Sequence, residues 1–235
     1  MVETVPTFDA LRDALLDLNQ PMGKRTRAVF YLRTRGQKED LQVLLQALLN
    51  RKDSELMRHE LAYVIGQFQD ADACETLQSI VEDEEDDSMV RHEAAEALGA
   101  IGHEKALPVL EKYCSHPAPE ISETCEIAVG LIKYRMSKAK GEVQEQEHDR
   151  NPYLSVDPAP AAEKHVSTEE LKATLLDANR SLFDRYPRHV LAAQPQHGGR
   201  GAGARGGLQR QERALPPRGR VRDGPDGEPR DGPGA

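Results

Sequence analysis

The chain has 235 residues, enough to bury a sizeable core, and a formal net charge of −9. Residues 187–235 hold nine Arg against five acidic residues, so residues 1–186 carry −13. An acidic body argues against nucleic acid as the main partner, because binding phosphate needs a basic face. There is no tryptophan, and the apolar residues are mainly Leu, Ala, Ile and Val, which suit helix-on-helix packing. Cys74, Cys114 and Cys125 are odd in number with no CxxC spacing, and read as reduced thiols. No basic-then-apolar leader opens the chain and no apolar run could span a bilayer, so a soluble, cytoplasmic protein without membrane contact is expected.

The spacing of apolar residues predicts an all-α fold. Leu11, Ala14, Leu15 and Leu18 mark a first helix over 9–18, and Pro21 suits the first turn of the next. Ala28, Val29 and Leu32 continue that second helix to a break near Gly36. Leu41, Leu44, Leu45 and Leu48 make a third, and residues 56–68 a fourth. Residues 73–81 and 89–101 repeat that pair, and 106–113 and 121–134 repeat it again. Two helices per period, in about four pairs, describe a helical-repeat solenoid over residues 7–136.

The period is explicit. Met57-Arg58-His59-Glu60-Leu61-Ala62 recurs 33 residues later as Val90-Arg91-His92-Glu93-Ala94-Ala95, and Gly66 falls in register with Gly99. Stepping by 33 places Arg25, Arg58, Arg91 and Thr124 at one position, and Thr26, His59, His92 and Cys125 at the next. The following position holds Arg27, Glu60, Glu93 and Glu126. Only the two middle repeats carry a His-Glu pair, so packing alone does not demand it.

Residues 137–166 form a linker, charged at first and then holding Pro152, Pro158 and Pro160, which no helix accommodates. The chain then starts over. Leu171 to Asn179 repeats Leu11 to Asn19 at an offset of 160, and Arg185 matches Arg25, so residues 167–186 read as the start of a second repeat half. Residues 187–235 hold 11 of the 18 Gly and seven of the 15 Pro, a composition expected to be disordered. Such a tail could be an ordinary RNA-binding RGG-like segment. An out-of-frame reading fits its letters better. Shifting Leu215 to Pro229 by one base, with suitable codons, yields a phrase containing Arg-His-Glu that closely matches Leu56 to Gln69.

Packed helices lie about 8–10 Å apart, so imidazoles at equivalent positions of adjacent repeats can reach a common point with a carboxylate beside them. Two His and one carboxylate suit non-haem Fe(II), and zinc accepts the same set. His59, Glu60, His92 and Glu93 are therefore candidate metal ligands. Arg58 and Arg91, just before each pair, are expected to support a ligand or to form an inter-repeat ion pair with a carboxylate. Glu96 is expected to be a surface charge. His103, His116, His148 and His165 lie out of register and are expected in exposed loops or the linker.

These residues resemble the deoxyhypusine hydroxylase family. The resemblance rests on Met57-Arg58-His59-Glu60-Leu61-Ala62-Tyr63, on Met89 to Gly102 with its His92-Glu93, and on the linker Pro152 to Pro160, and it covers residues 7–186. It implies two HEAT-repeat halves facing each other across a di-iron centre that activates O2, each half supplying two His-Glu pairs. The reaction implied is hydroxylation of deoxyhypusine on the precursor of translation initiation factor 5A, an iron-dependent monooxygenase activity. Carried over by position, His59, His92 and Glu93 would be iron ligands. Glu60 would sit in the same shell and meet the cationic, polyamine-like arm of the substrate. This chain has two His-Glu pairs where the family has four, so at most half a metal centre and an inactive truncated form are expected. The rival readings are a non-catalytic HEAT-repeat protein-binding module, which would hold no stoichiometric iron, and a HEAT-like bilin lyase.

Overall fold

The computed structural model describes residues 6–142, 156–159 and 166–186. All of them belong to the first of two compact units, and the second, Gln196–Ala235, lies outside the described residues. The expected tail at 187–235, the predicted exposure of His148 and His165, and most of the linker lie outside them too. The described residues are helical with no strand. In order they form α1 (Phe8–Leu16), α2 (Met22–Arg35), α3 (Lys38–Leu48), α4 (Glu55–Phe68), α5 (Cys74–Glu82), α6 (Ser88–Ile101), α7 (Leu107–Tyr113), α8 (Pro119–Ala139) and α9 (Thr168–Leu176).

Short polar caps set the helix starts. Thr7, Ser54 and Asp87 side chains accept from backbone N–H groups in the first turns of α1, α4 and α6. Ser167 does the same for α9, and Glu170 completes a capping box. Helix ends share the 33-residue register. Gly36, Gln69 and Gly102 end α2, α4 and α6 in the left-handed conformation, with φ of 64°, 53° and 76°. At Gln69, where glycine is absent, the side-chain amide donates to the Ala100 carbonyl of the next repeat at 3.2 Å.

The even-numbered helices stack in sequence, α2 on α4, α4 on α6 and α6 on α8, while α1, α3, α5 and α7 form the other layer. Between the layers lies one continuous core that includes Leu15, Leu32, Leu44, Leu61, Ile65, Leu77, Leu98 and Ile121, all fully buried. Each such side chain contributes roughly 1.5–3 kcal/mol. Two details differ from the sequence reading. The first helix ends at Leu16 because the Asp17 carboxylate accepts from the Asn19 N–H and starts a turn, which leaves Leu18 exposed. The last repeat helix runs on to Ala139, past the expected start of the linker.

An arginine repeats along the stack. Arg25, Arg58, Arg91 and Arg185 each donate through Nε to the carbonyl ten residues earlier, on Leu15, Leu48, Val81 and Leu175, at 2.9–3.1 Å. Arg25 also pairs with Asp53, and Arg58 with Asp86 at 2.6 Å. Arg91 departs from the expected ion pair. No carboxylate meets it among the described residues; its guanidinium bonds twice to the Val81 carbonyl and lies over the Tyr113 ring. The residue 28 positions on, where Arg25 and Arg58 find an aspartate, is Pro119.

Residues 156–159 cross the even-numbered layer. Val156 exchanges backbone hydrogen bonds with the Gln67 side-chain amide, at 2.9 and 3.4 Å. Residues 182–186 pack on α8, where the Leu182 N–H donates to Glu126 at 2.8 Å. Phe183 lies over Gly130, so close that a Cβ added there would fall 2.4 Å from its ring.

Candidate metal centre

α4 and α6 bring the two His-Glu pairs together because nothing but hydrogen separates their backbones at one point. A Cβ added to Gly66 would lie 2.8 Å from the Ala97 Cα, and one added to Gly99 would lie 3.0 Å from the Ala128 Cα. These two glycines, 33 residues apart, let α4, α6 and α8 approach more closely than side chains allow. Two turns back along α4 and α6, the His59 and His92 rings stack with centroids 6.4 Å apart and planes 16° from parallel.

One ligand atom from each of His59, His92 and Glu93 lies within 4.8 Å of the others. His59 Nε2 is 3.1 Å from Glu93 Oε2. His92 Nδ1 is 3.0 Å from the Glu120 carbonyl, which can only accept, so Nδ1 carries the proton. Thr124 Oγ1, 2.7 Å away, shares it. Nε2 of His92 is left with its lone pair, the form a metal requires.

Glu93 is only 5% exposed, and its one ionic contact among the described residues is with His59. Burial, with added repulsion from Glu96 and Glu60, pushes its carboxyl up to about 8. His59 Nδ1 is buried without a hydrogen-bond partner among the described residues. A cluster of two imidazoles and a buried carboxyl, with an orphaned ring nitrogen and, among the described residues, no lysine or arginine paired with it, fits a divalent cation on its donor chemistry. Glu60 stands outside this group. Its carboxylate is 3.9 Å from His59 Nδ1 and its side chain is about one-third exposed.

Glu96 differs from the sequence reading. It is half-buried and lines a cavity with His92 and Thr124, because a residue four positions after His92 faces the same way on a helix. His103 and His116 cap turns, each accepting through Nδ1 from a backbone N–H two residues on. The described cysteines are free, and no described helix is long and apolar enough to cross a membrane.

A HEAT-repeat family model matches residues 41–130. Deoxyhypusine hydroxylase of Drosophila melanogaster is 43% identical over 179 residues, covering 76% of this chain and 57% of the fly protein. The human deoxyhypusine hydroxylase is 43% identical over 183 residues, covering 78% of this chain and 58% of its own length. The solved structure of human deoxyhypusine hydroxylase in complex with glycerol superposes with a TM-score of 0.68 at 42% identity, over 77% of this chain and 60% of that one.

The chain is a homologue of deoxyhypusine hydroxylases over about three quarters of its length.

It spans somewhat under three fifths of the curated deoxyhypusine hydroxylases named above. Of the four candidate ligands that the 33-residue register carries, the structure brings His59, His92 and Glu93 together and leaves Glu60 outside the group. The sequence did not single out Thr124 as the support of His92, although the register places it where Arg58 and Arg91 stand, and a hydroxyl there was the available signal. Tyr186, beside the same cavity, falls through Thr26 on the register position of His59 and His92, a correspondence that the sequence analysis did not follow beyond Arg185.

Proposed function

We propose that the chain carries the metal-binding repeats of an iron-dependent monooxygenase that hydroxylates deoxyhypusine to hypusine on the precursor of translation initiation factor 5A. The observation that carries this reading is the convergence of His59, His92 and Glu93 within 4.8 Å. Likeness to relatives named for that activity supports it. Iron, when bound, supplies the activation of O2 that insertion into an unactivated C–H bond requires. In the net reaction one oxygen atom becomes the new hydroxyl. The other leaves as water, with two electrons from an external reductant.

The residues of this chain have separate tasks in that scheme. His59, His92 and Glu93 hold the metal, and the Glu120 carbonyl and Thr124 fix His92 in the tautomer that offers Nε2. Glu60, the more exposed carboxylate beside His59, receives the cationic arm of the substrate. Burial around Glu93 keeps water from the carboxyl that faces the metal. Residues 7–136, with the end of α8 to Ala139, form the metal-bearing repeat domain, 140–166 the linker and 167–186 the first turns of a second half. Residues 187–235 are read as an out-of-frame tail, a reading that the nucleotide sequence across codons 185–190 tests directly. With half the family's His-Glu pairs, this polypeptide is expected to bind iron weakly and to be inactive by itself, in the cytoplasm.

Metal analysis of the purified chain, loaded anaerobically with Fe(II), tests the assignment. Iron should be retained by the parent chain and lost from both His59→Ala and His92→Ala. Equal iron content in all three would overturn it.

A further inference from the structure

One side-chain amide joins two parts of the chain that lie 89 residues apart. The Val156 N–H donates to Gln67 Oε1 at 2.9 Å, and Gln67 Nε2 donates to the Val156 carbonyl at 3.4 Å. A primary amide carries both an acceptor and donors, so it satisfies the two backbone groups of a single residue as a neighbouring strand would. The 33-residue register supplies no other amide for this task, because the counterparts of Gln67 are Thr34 and Ala100. The seat is therefore specific to the repeat that carries His59. Pro158, two residues on, has no N–H to give and biases Asp157 toward extended backbone, so the segment is stiff before it docks.

What the segment covers is the Glu93 side of the candidate centre. Val156 and Pro158 line a gap of about 10 Å³ together with Tyr63 of α4 and with Glu93 and Ala97 of α6. Such a gap holds at most one water, which needs roughly 10–15 Å³. Ala159 is buried, and so is Glu93. His59 and Glu60, by contrast, keep 28% and 35% of their side chains exposed. Approaches from solvent to the centre are thus unequal: the one past His59 and Glu60 is open, and the one past Glu93 is filled by linker backbone. The protein around a metal ligand controls the access of solvent to it, and an ion leaves only as water replaces each of its ligands.

We propose that residues 156–159 are a strap over the Glu93 side of the candidate centre, that Gln67 is the positioning residue that seats it, and that the seated strap slows the loss of a bound divalent cation. The last clause alone rests on the reading of His59, His92 and Glu93 as a metal centre. Gln67 is not among the residues whose ligand atoms converge, and it acts through Val156.

Two measurements on the full chain test the proposal. One is hydrogen exchange of the Val156 amide without metal. The other is the rate at which excess ferrous chelator strips Fe(II) from the anaerobically loaded chain. Gln67→Met keeps the size of the side chain and removes both hydrogen bonds, and Val156→Pro removes one of them from the linker side, outside the repeats. In Gln67→Met the Val156 amide should exchange about tenfold faster, because local opening sets that rate, while the amides of α4 stay as protected as in the parent. Each variant should lose Fe(II) about tenfold faster, the lower end of what removing support around a metal ligand costs, and the double variant no faster than either. Unchanged protection of Val156 in Gln67→Met overturns the seating. Iron loss that is unchanged in both single variants, or accelerated in the double variant by the product of the two, overturns the positioning role. A parent chain that retains no Fe(II) overturns the metal reading and the retention clause with it, and Val156 protection that depends on Gln67 then still upholds the strap.

Discussion

Thr124 Oγ1 lies 2.7 Å from His92 Nδ1, at the register position where the two preceding repeats carry arginine. The substitution matters because an arginine there could only donate. Its place in the repeat before is held by Arg91, committed to the Val81 carbonyl, and the Nδ1 of His59 is correspondingly without a partner. The two imidazoles of the candidate centre are thus held unequally, His92 by the neighbouring repeat and His59 by Glu93.

Thr124→Val should therefore weaken metal binding without unfolding the stack. Removing a group that orients a ligand typically costs 10–100-fold in metal affinity. Thr124→Ser keeps the hydroxyl and should restore most of it. Iron titrations of the two variants check this, and equal loss in both would mean that the methyl group, not the hydroxyl, is what counts.

Gly66→Ala and Gly99→Ala should each destabilise the fold by about 1–3 kcal/mol, since the new methyl meets backbone at 2.8–3.0 Å. By forcing α4 from α6, Gly66→Ala should also separate the imidazoles and lower iron affinity. Gly23 of α2 is the control: a Cβ there meets nothing within 4 Å. Gly23→Ala should be neutral or stabilising by up to about 1 kcal/mol. Chemical denaturation of the three variants checks the order.

Arg58 and Asp86 form a buried pair whose contribution should vanish in acid. Burial pushes the Asp86 carboxyl up, but the Arg58 hydrogen bonds and the Asp87 N–H outweigh it, so the net shift is downward. A group depressed in the folded state stabilises above its unfolded value, about 3.9 for Asp, and the gain disappears as pH falls through the folded value. Stability should hold from neutral pH to about 4 and then fall. Replacing Arg58→Met and Asp86→Leu together should flatten this acid limb. Asp86→Asn alone should instead cost about 3–5 kcal/mol at neutral pH, because it strands a buried guanidinium. Urea melts at pH 3 and pH 7 distinguish these outcomes.

Glu60→Ala should weaken capture of the deoxyhypusine arm more than it weakens iron retention, because Glu60 lies outside the three-residue group and is the more exposed carboxylate. Glu93→Ala should do the reverse. Binding of a deoxyhypusine-bearing peptide and iron content, measured on both variants, give the ranking. The opposite order would exchange the two roles.

The sequence by itself determined what repetition encodes. Apolar spacing of 3.6 residues gives the helices, a 33-residue period gives the stack, and phase within the period puts His59, His92 and Glu93 on one side of it. Residues in phase on neighbouring repeats must be neighbours in space, so their proximity required no coordinates. Tertiary structure decided whatever depends on non-repeating neighbours. Phase treats Arg58 and Arg91 alike, yet one finds Asp86 and the other a carbonyl, because Pro119 stands where the aspartate would be. Phase likewise treats Glu60 and Glu93 as equivalent. Glu93 is almost fully buried while Glu60 is about one-third exposed, and burial, which belongs to the packed stack and not to any one helix, pushes the Glu93 carboxyl up. The cavity beside His92 is also lined by Pro158 of the linker and by Tyr186, so its α6 and α8 walls can be read from the period but these two neighbours cannot.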